Sequence, residues 1–196
     1  MDDAIAPLPE FHLRPGSAAA ARALAHGHTT FRATADAVWR LPYGRNSDRA
    51  DSLLVLDEGR GTCSTKHAFL AILAREHGVP LDLVLGVYLM DERNTPGTGP
   101  VLARAGLAAI PEAHCYLRVA NRRIDLTHPP GSLPGDPVVA FLAEELIAPE
   151  QIGAYKATFH RRYLAEWLAQ PGAPPITVDE AWAVREACIR ALGEGR

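Results

Sequence analysis

An α+β fold is what the sequence predicts, on three observations. The stretch 63–76 carries "AFLAILA" at its middle, apolar on every face, as a helix at the centre of a domain is. The run "LDLVLGVYLM" (81–90) reads as a strand apolar enough to lie inside a sheet. "AHCYLRVANRRIDLTH" reads as a hairpin: a strand over 114–119, a turn at Ala120-Asn121 and a return strand over 123–127.

The remaining elements follow in order. Ser17 is placed to cap a short helix through Ala25, stopped by Gly27. A second helix spans 30–40, with Phe31, Ala35 and Val38 on one face, and Leu41-Pro42 ends it before the loop "YGRNSDRADS". Gly78 and Pro80 stop the central helix. The stretch 91–111, rich in Gly, Pro and Asn, is expected to be a long loop of the kind that forms lids and binding loops. "HPPGSLPGDP" breaks the chain, and 138–142 offers a further short strand. Pro149 opens a helix on which Ile152, Tyr155, Phe159 and Tyr163 recur at helical spacing to about 169. "PGAPP" precedes a last helix, whose start is marked by a capping box of Thr177 and Glu180. The expected organisation is a core with N-terminal helices over 1–148 and a C-terminal helical appendage over 149–196, packed as a single domain.

With 196 residues, 47% of them hydrophobic and 22% charged, the chain suits one compact domain. A formal net charge of -3 gives no reason to expect nucleic acid or an anionic membrane as partner. No apolar run is long enough to span a bilayer, and the start has no basic segment followed by an apolar one, as a secretory signal has. Three cysteines, an odd number, argue against a disulfide framework and for a cytoplasmic protein with thiols.

The chemistry centres on "EGRGTCSTKH" (58–67). At a helix N-terminus, backbone N–H groups and the macrodipole stabilise negative charge; this lowers a thiol's pKa, and the thiolate is the nucleophile. The same amides suit the oxyanion of a tetrahedral intermediate, and Gly59 and Gly61 permit close approach. Cys63 is therefore the candidate nucleophile. His114, at the start of one hairpin strand, and Asp125, near the end of the other, supply the expected base and the group that orients it.

The rest of the reactive side chains read differently. Cys115 points to the strand face opposite His114, and Cys188 shares a helical face with Ala181, Val184 and Leu192; both are expected in packing. Lys66 and His67 sit one turn into the Cys63 helix; His67, at i+4, is within reach of the thiol, but a role on the surface or in packing is expected. Zinc binding by Cys63, His67, His114 and Cys115 is disfavoured, because C-x-x-C spacing is missing and strand alternation separates His114 from Cys115. Tyr43, Arg45 and Asn46 precede the nucleophile and are candidates to line its cleft, Asn46 as an oxyanion donor; a polar surface turn is the competing reading.

"GTCSTKHAFLAILAREHGVPLDLVLGVY" followed by "HCYLRVANRRIDLT" resembles the catalytic core of the transglutaminase-like superfamily, over roughly 43–127. The shared pattern is a G-x-C helix start ending in Gly-Val-Pro, then a strand, then His and Asp on neighbouring strands. The resemblance implies a papain-like fold, a central Cys-bearing helix packed on a small antiparallel sheet. It also implies a triad of Cys63, His114 and Asp125, and no cofactor. Nothing marks a calcium site or additional β domains, so a small hydrolase or amide/acyl transferase acting on an amide, peptide or isopeptide bond is expected over protein cross-linking. Two alternatives stay open. "RGTCS" partly echoes the R-G-G-x-C-F pattern of arylamine N-acetyltransferases, which take acyl groups from coenzyme A, and a non-catalytic scaffold member of the fold is the other.

Overall fold

Four strands and seven α-helices make up the α+β architecture of the described residues. The computed structural model describes residues 4–132, 138 and 140–194. The antiparallel sheet has the order β3-β2-β1-β4, where β1 is Asp82–Met90, β2 Ile110–Val119, β3 Arg122–Ile124 and β4 Ala143–Leu146. By compactness the chain divides into one unit of Met1–Leu85, Cys115–Ser132 and Glu145–Gly153, and another of Gly86–His114, Leu133–Glu144 and Ala154–Arg196.

The first unit is built around α4, Cys63–Glu76, which contacts α1 (Ala18–Ala25), α2 (Phe31–Arg40), α3 (Leu54–Asp57) and a short 3-10 helix, Pro149–Ile152. Residues on all of its faces are buried, from Cys63 to Ala74, as the all-round apolar pattern requires. Its C-terminus stops where Gly78 takes a left-handed φ of 70°, which glycine adopts without a Cβ clash. Thr30 caps α2 by accepting from the Ala33 N–H. Ser17 holds the N-cap position of α1 without capping it; its hydroxyl donates instead to Glu76 at 2.6 Å. The Glu76 carboxylate also accepts from the N–H groups of Ala19 and Ala20, at 3.0 and 2.9 Å. The end of α4 thus supplies the negative charge that the N-terminus of α1 favours.

In the second unit, α5 (Gly99–Arg104), α6 (Ala154–Leu168) and α7 (Val178–Glu194) enclose a core of Tyr88, Met90, Leu102, Ile110, Leu164 and Cys188, among others. The expected capping box is present: the Thr177 N–H donates to Glu180 at 2.7 Å and the Glu180 N–H to the Thr177 hydroxyl at 3.2 Å.

Three expectations are corrected. The stretch 91–111 is not an extended loop. It folds into α5 and opens β2, and the Glu92 carboxylate gathers the Gly97 and Gly99 N–H groups before α5 begins. The hairpin register is Leu117↔Ile124, Arg118↔Arg123, Val119↔Arg122; β3 ends at Ile124, so Asp125 follows the strand instead of lying in it. The strand expected over 138–142 is displaced to Ala143–Leu146, with Leu142 N–H already donating to the Val87 carbonyl at 2.7 Å; residue 139 lies outside the described residues.

Candidate active site

Cys63 is the first residue of α4, and the backbone reaches it along a tightly tied path. Gly44 N–H donates to the Gly61 carbonyl at 3.2 Å and Gly61 N–H to the Pro42 carbonyl at 3.3 Å, pairing Tyr43 with Gly61 in a parallel bridge. The two glycines before the cysteine meet different needs. Gly59 turns at φ 62°, in the left-handed region. Gly61 makes room, because a Cβ there would sit 2.8 Å from Lys66 Cγ and 3.1 Å from Thr65 Oγ1.

Asn46 locks this path to the helix. Its Nδ2 donates to Glu58 Oε2 and to the Arg60 carbonyl, both at 3.0 Å, and its Oδ1 accepts from Thr65 Oγ1 at 2.8 Å. Thr65 Oγ1 in turn accepts from the Thr62 N–H at 3.0 Å, one half of a capping box. Both amide hydrogens of Asn46 are therefore committed. This corrects the expectation of an oxyanion donor: Asn46 fixes the start of α4. The Ser47 hydroxyl, its N–H and the Asn46 amide, in that order, hold the Glu58 carboxyl below its ordinary range, against a smaller opposing effect of desolvation. Tyr43 is buried and stacks on the His128 ring, centroids 5.0 Å apart, while Arg45 is half-buried.

Cys63 is 6% exposed, with Sγ 3.8 Å from Ser64 Oγ. One turn on, Lys66 and His67 are each 0% exposed, so of the two placements expected they take packing and not the surface. Lys66 Nζ donates to the carbonyls of Leu41 at 2.6 Å, Thr127 at 2.9 Å and Trp39 at 3.4 Å. His67 Nε2 accepts from the Leu126 N–H at 2.8 Å, so its proton sits on Nδ1, which donates to the Cys63 carbonyl at 2.8 Å. Asp125 Oδ1 lies 3.8 Å from that Nε2, but a nitrogen already accepting a hydrogen bond offers the carboxylate no proton; this is not an ion pair. Asp125 Oδ1 instead accepts from the Thr127 hydroxyl at 2.6 Å and the Thr127 N–H at 3.0 Å, with 40% of its side chain exposed.

His114 closes the 86–114 stretch of the second unit and is 9% exposed. Within that unit the Tyr88 ring meets it edge-on, centroids 5.9 Å apart, and the Phe141 ring lies nearly parallel to it at 6.4 Å and 17°. Gly86 accommodates Phe141: a Cβ at 86 would fall 2.4 Å from Phe141 Cδ1. Of the sequence-predicted residues, Cys63, Asp125, Tyr43, Arg45 and Asn46 share the first unit.

Cys115 and Cys188 are fully buried, and no disulfide joins any of the three cysteines. Burial, reinforced by the charge of Glu112 and opposed by Arg185, pushes the Cys188 thiol up to about 11. Among the described residues, no group of three or more His, Cys, Asp or Glu side chains is arranged to hold a metal ion. No described helix is long and apolar enough to cross a membrane.

No family model, curated protein or solved structure matches the chain. The functional reading rests on the residues themselves. Sequence reasoning named Lys66 and His67 for the surface or packing only, and did not single out Thr127. Their adjacency to Cys63 and Asp125 in the chain was the available signal; Lys66 and His67 bond to backbone groups, which leave no mark in a sequence, and Thr127 to the carboxylate of Asp125.

Proposed function

We propose that the protein is a thiol enzyme of the transglutaminase-like, papain-like type, acting on an amide, peptide or isopeptide bond. Cys63 is the nucleophile, His114 the base and Asp125 the group that orients the imidazole. The Cys63 thiolate adds to the carbonyl carbon, and amides at the start of α4 receive the oxyanion. As the C–N bond breaks, the imidazolium of His114 gives its proton to the departing amine, leaving a thioester. Water or an amine, deprotonated by His114, then attacks the thioester carbonyl and releases Cys63, giving hydrolysis or transfer respectively.

The observation that carries this reading is the position of Cys63 at the head of α4, behind a lead-in tied down by Asn46, Glu58 and Thr65. Three thiols outside any disulfide accord with the reducing cytoplasm.

The test is alkylation by iodoacetamide across pH, read site by site by mass spectrometry. Cys63 is expected to react at neutral pH faster than a free thiol, with its midpoint below the ordinary thiol value of about 8.5. Cys63→Ser removes that signal. A Cys63 that reacts no faster than Cys115 or Cys188 overturns the proposal. Incubation with acetyl-coenzyme A is expected to leave the mass at Cys63 unchanged; a gain of one acetyl group would redirect the assignment to coenzyme A-dependent acyl transfer.

A further inference from the structure

Lys66 and His67 are buried side by side on the second turn of α4, one turn past Cys63, and both reach the same three-residue segment. Lys66 Nζ donates to the Thr127 carbonyl at 2.9 Å, and His67 Nε2 accepts from the Leu126 N–H at 2.8 Å. The segment they grip has just left β3, so the strand ladder no longer fixes it. Thr127 then passes the constraint to Asp125, holding one carboxylate oxygen by its hydroxyl at 2.6 Å and its N–H at 3.0 Å. Lys66 also binds the Leu41 and Trp39 carbonyls, which anchor the other backbone segment leading toward Cys63.

We infer that Lys66, His67 and Thr127 are positioning residues that fasten Asp125 to the nucleophile helix. This inference rests on the roles proposed above for Cys63, His114 and Asp125. The physical logic is that the Asp125 carboxylate lies partly in solvent, with 40% of the side chain exposed, so the two hydrogen bonds from Thr127 help to set its direction. A neutral imidazole suits His67 because the ring must donate at one nitrogen and accept at the other. A buried ammonium suits Lys66 because it carries three donors for three carbonyls. An Asp125 free to rotate would orient the imidazole less well, and the imidazolium that stabilises the Cys63 thiolate would weaken.

The experiment compares the pH profile of Cys63 alkylation in the full-length wild type, Thr127→Val, Thr127→Ser and Lys66→Met. Thr127→Val is expected to move the midpoint up by about one pH unit, which slows reaction at neutral pH on the order of tenfold. Thr127→Ser, which keeps the hydroxyl, is expected to restore the wild-type profile, and Lys66→Met to match Thr127→Val. A Thr127→Val profile superimposed on the wild type overturns the inference. An ordinary thiol profile in the wild type sinks the enzyme reading itself, and is distinguishable because no variant is involved in that comparison. Should Lys66→Met not fold, nitrogen NMR of the wild type decides the clamp: a proton on His67 Nδ1 and a slowly exchanging Leu126 amide are expected. A proton on Nε2, or an unprotected Leu126 amide, overturns it.

Discussion

Lys66 in the first unit and Arg185 in the second are both buried, and the two cations are satisfied in different ways. In the first, Lys66 is 0% exposed and donates to the backbone carbonyls of Trp39 and Leu41, just before Pro42, and of Thr127. In the second, Arg185 on α7 forms a two-pronged bond to Glu112 on β2, with both nitrogen–oxygen distances 2.6 Å. Burial alone would raise the Glu112 carboxyl; the Arg185 charge and its hydrogen bonds outweigh that and hold it at about 2. A carbonyl ties a cation to a stretch of backbone, so Lys66 organises loops. A carboxylate ties it to another side chain, so Arg185 joins a helix to a strand. The first arrangement suits a place where chain segments must be aimed, the second a place where elements must be kept together.

The contrast predicts unequal consequences of removal. Arg185→Met strands a buried carboxylate and is expected to cost about 3–5 kcal/mol, measured as a lower urea midpoint. Lys66→Met leaves neutral carbonyls without a donor and is expected to cost about 2–4 kcal/mol, a smaller loss because no net charge is stranded. A Lys66→Met loss exceeding that of Arg185→Met would break the comparison.

Acid sharpens it further. Burial, only partly opposed by the charge of Glu112, lowers His160 to about 4, and His160 Nε2 donates to the Pro111 carbonyl at 2.8 Å. A folded value below the unfolded 6.5 means that the unfolded chain takes up the proton first. Stability from this ring is therefore full above about pH 6.5 and is lost as pH falls toward 4, by roughly 2–3 kcal/mol. Glu112 adds a loss of the same sign as pH falls from 4.5 toward about 2. The urea midpoint of the wild type is expected to drop between pH 6.5 and 4, and that of His160→Gln to drop less, with His28 and, below pH 4.5, Glu112 supplying the remainder; equal slopes would contradict the assignment.

How far the sequence carried depended on the length of each pattern. α4 was legible because the apolar run at its middle lies between a helix-start cysteine and a glycine that turns the chain left-handed. The start of α7 was legible because Thr177 and Glu180 form a local pair. α3 and α5, four and six residues long, are too short for a helical period to declare itself. At the candidate site, Cys63 was marked by its position at a helix start. The burial of Lys66 was hidden, since its carbonyl partners lie 25, 27 and 61 residues away. A lysine on a buried helix looks like a surface residue until the backbone that solvates it is in place.

Gly86 and Phe141 have an evolutionary consequence. The ring occupies the volume a methyl group at 86 would need, 2.4 Å from the position of its carbon. A mutational path that puts alanine at 86 first meets a steric barrier, whereas one that first shrinks 141 does not. Shrinking 141 first is therefore the easier order, and alanine at 86 is expected to be better tolerated beside a smaller residue at 141.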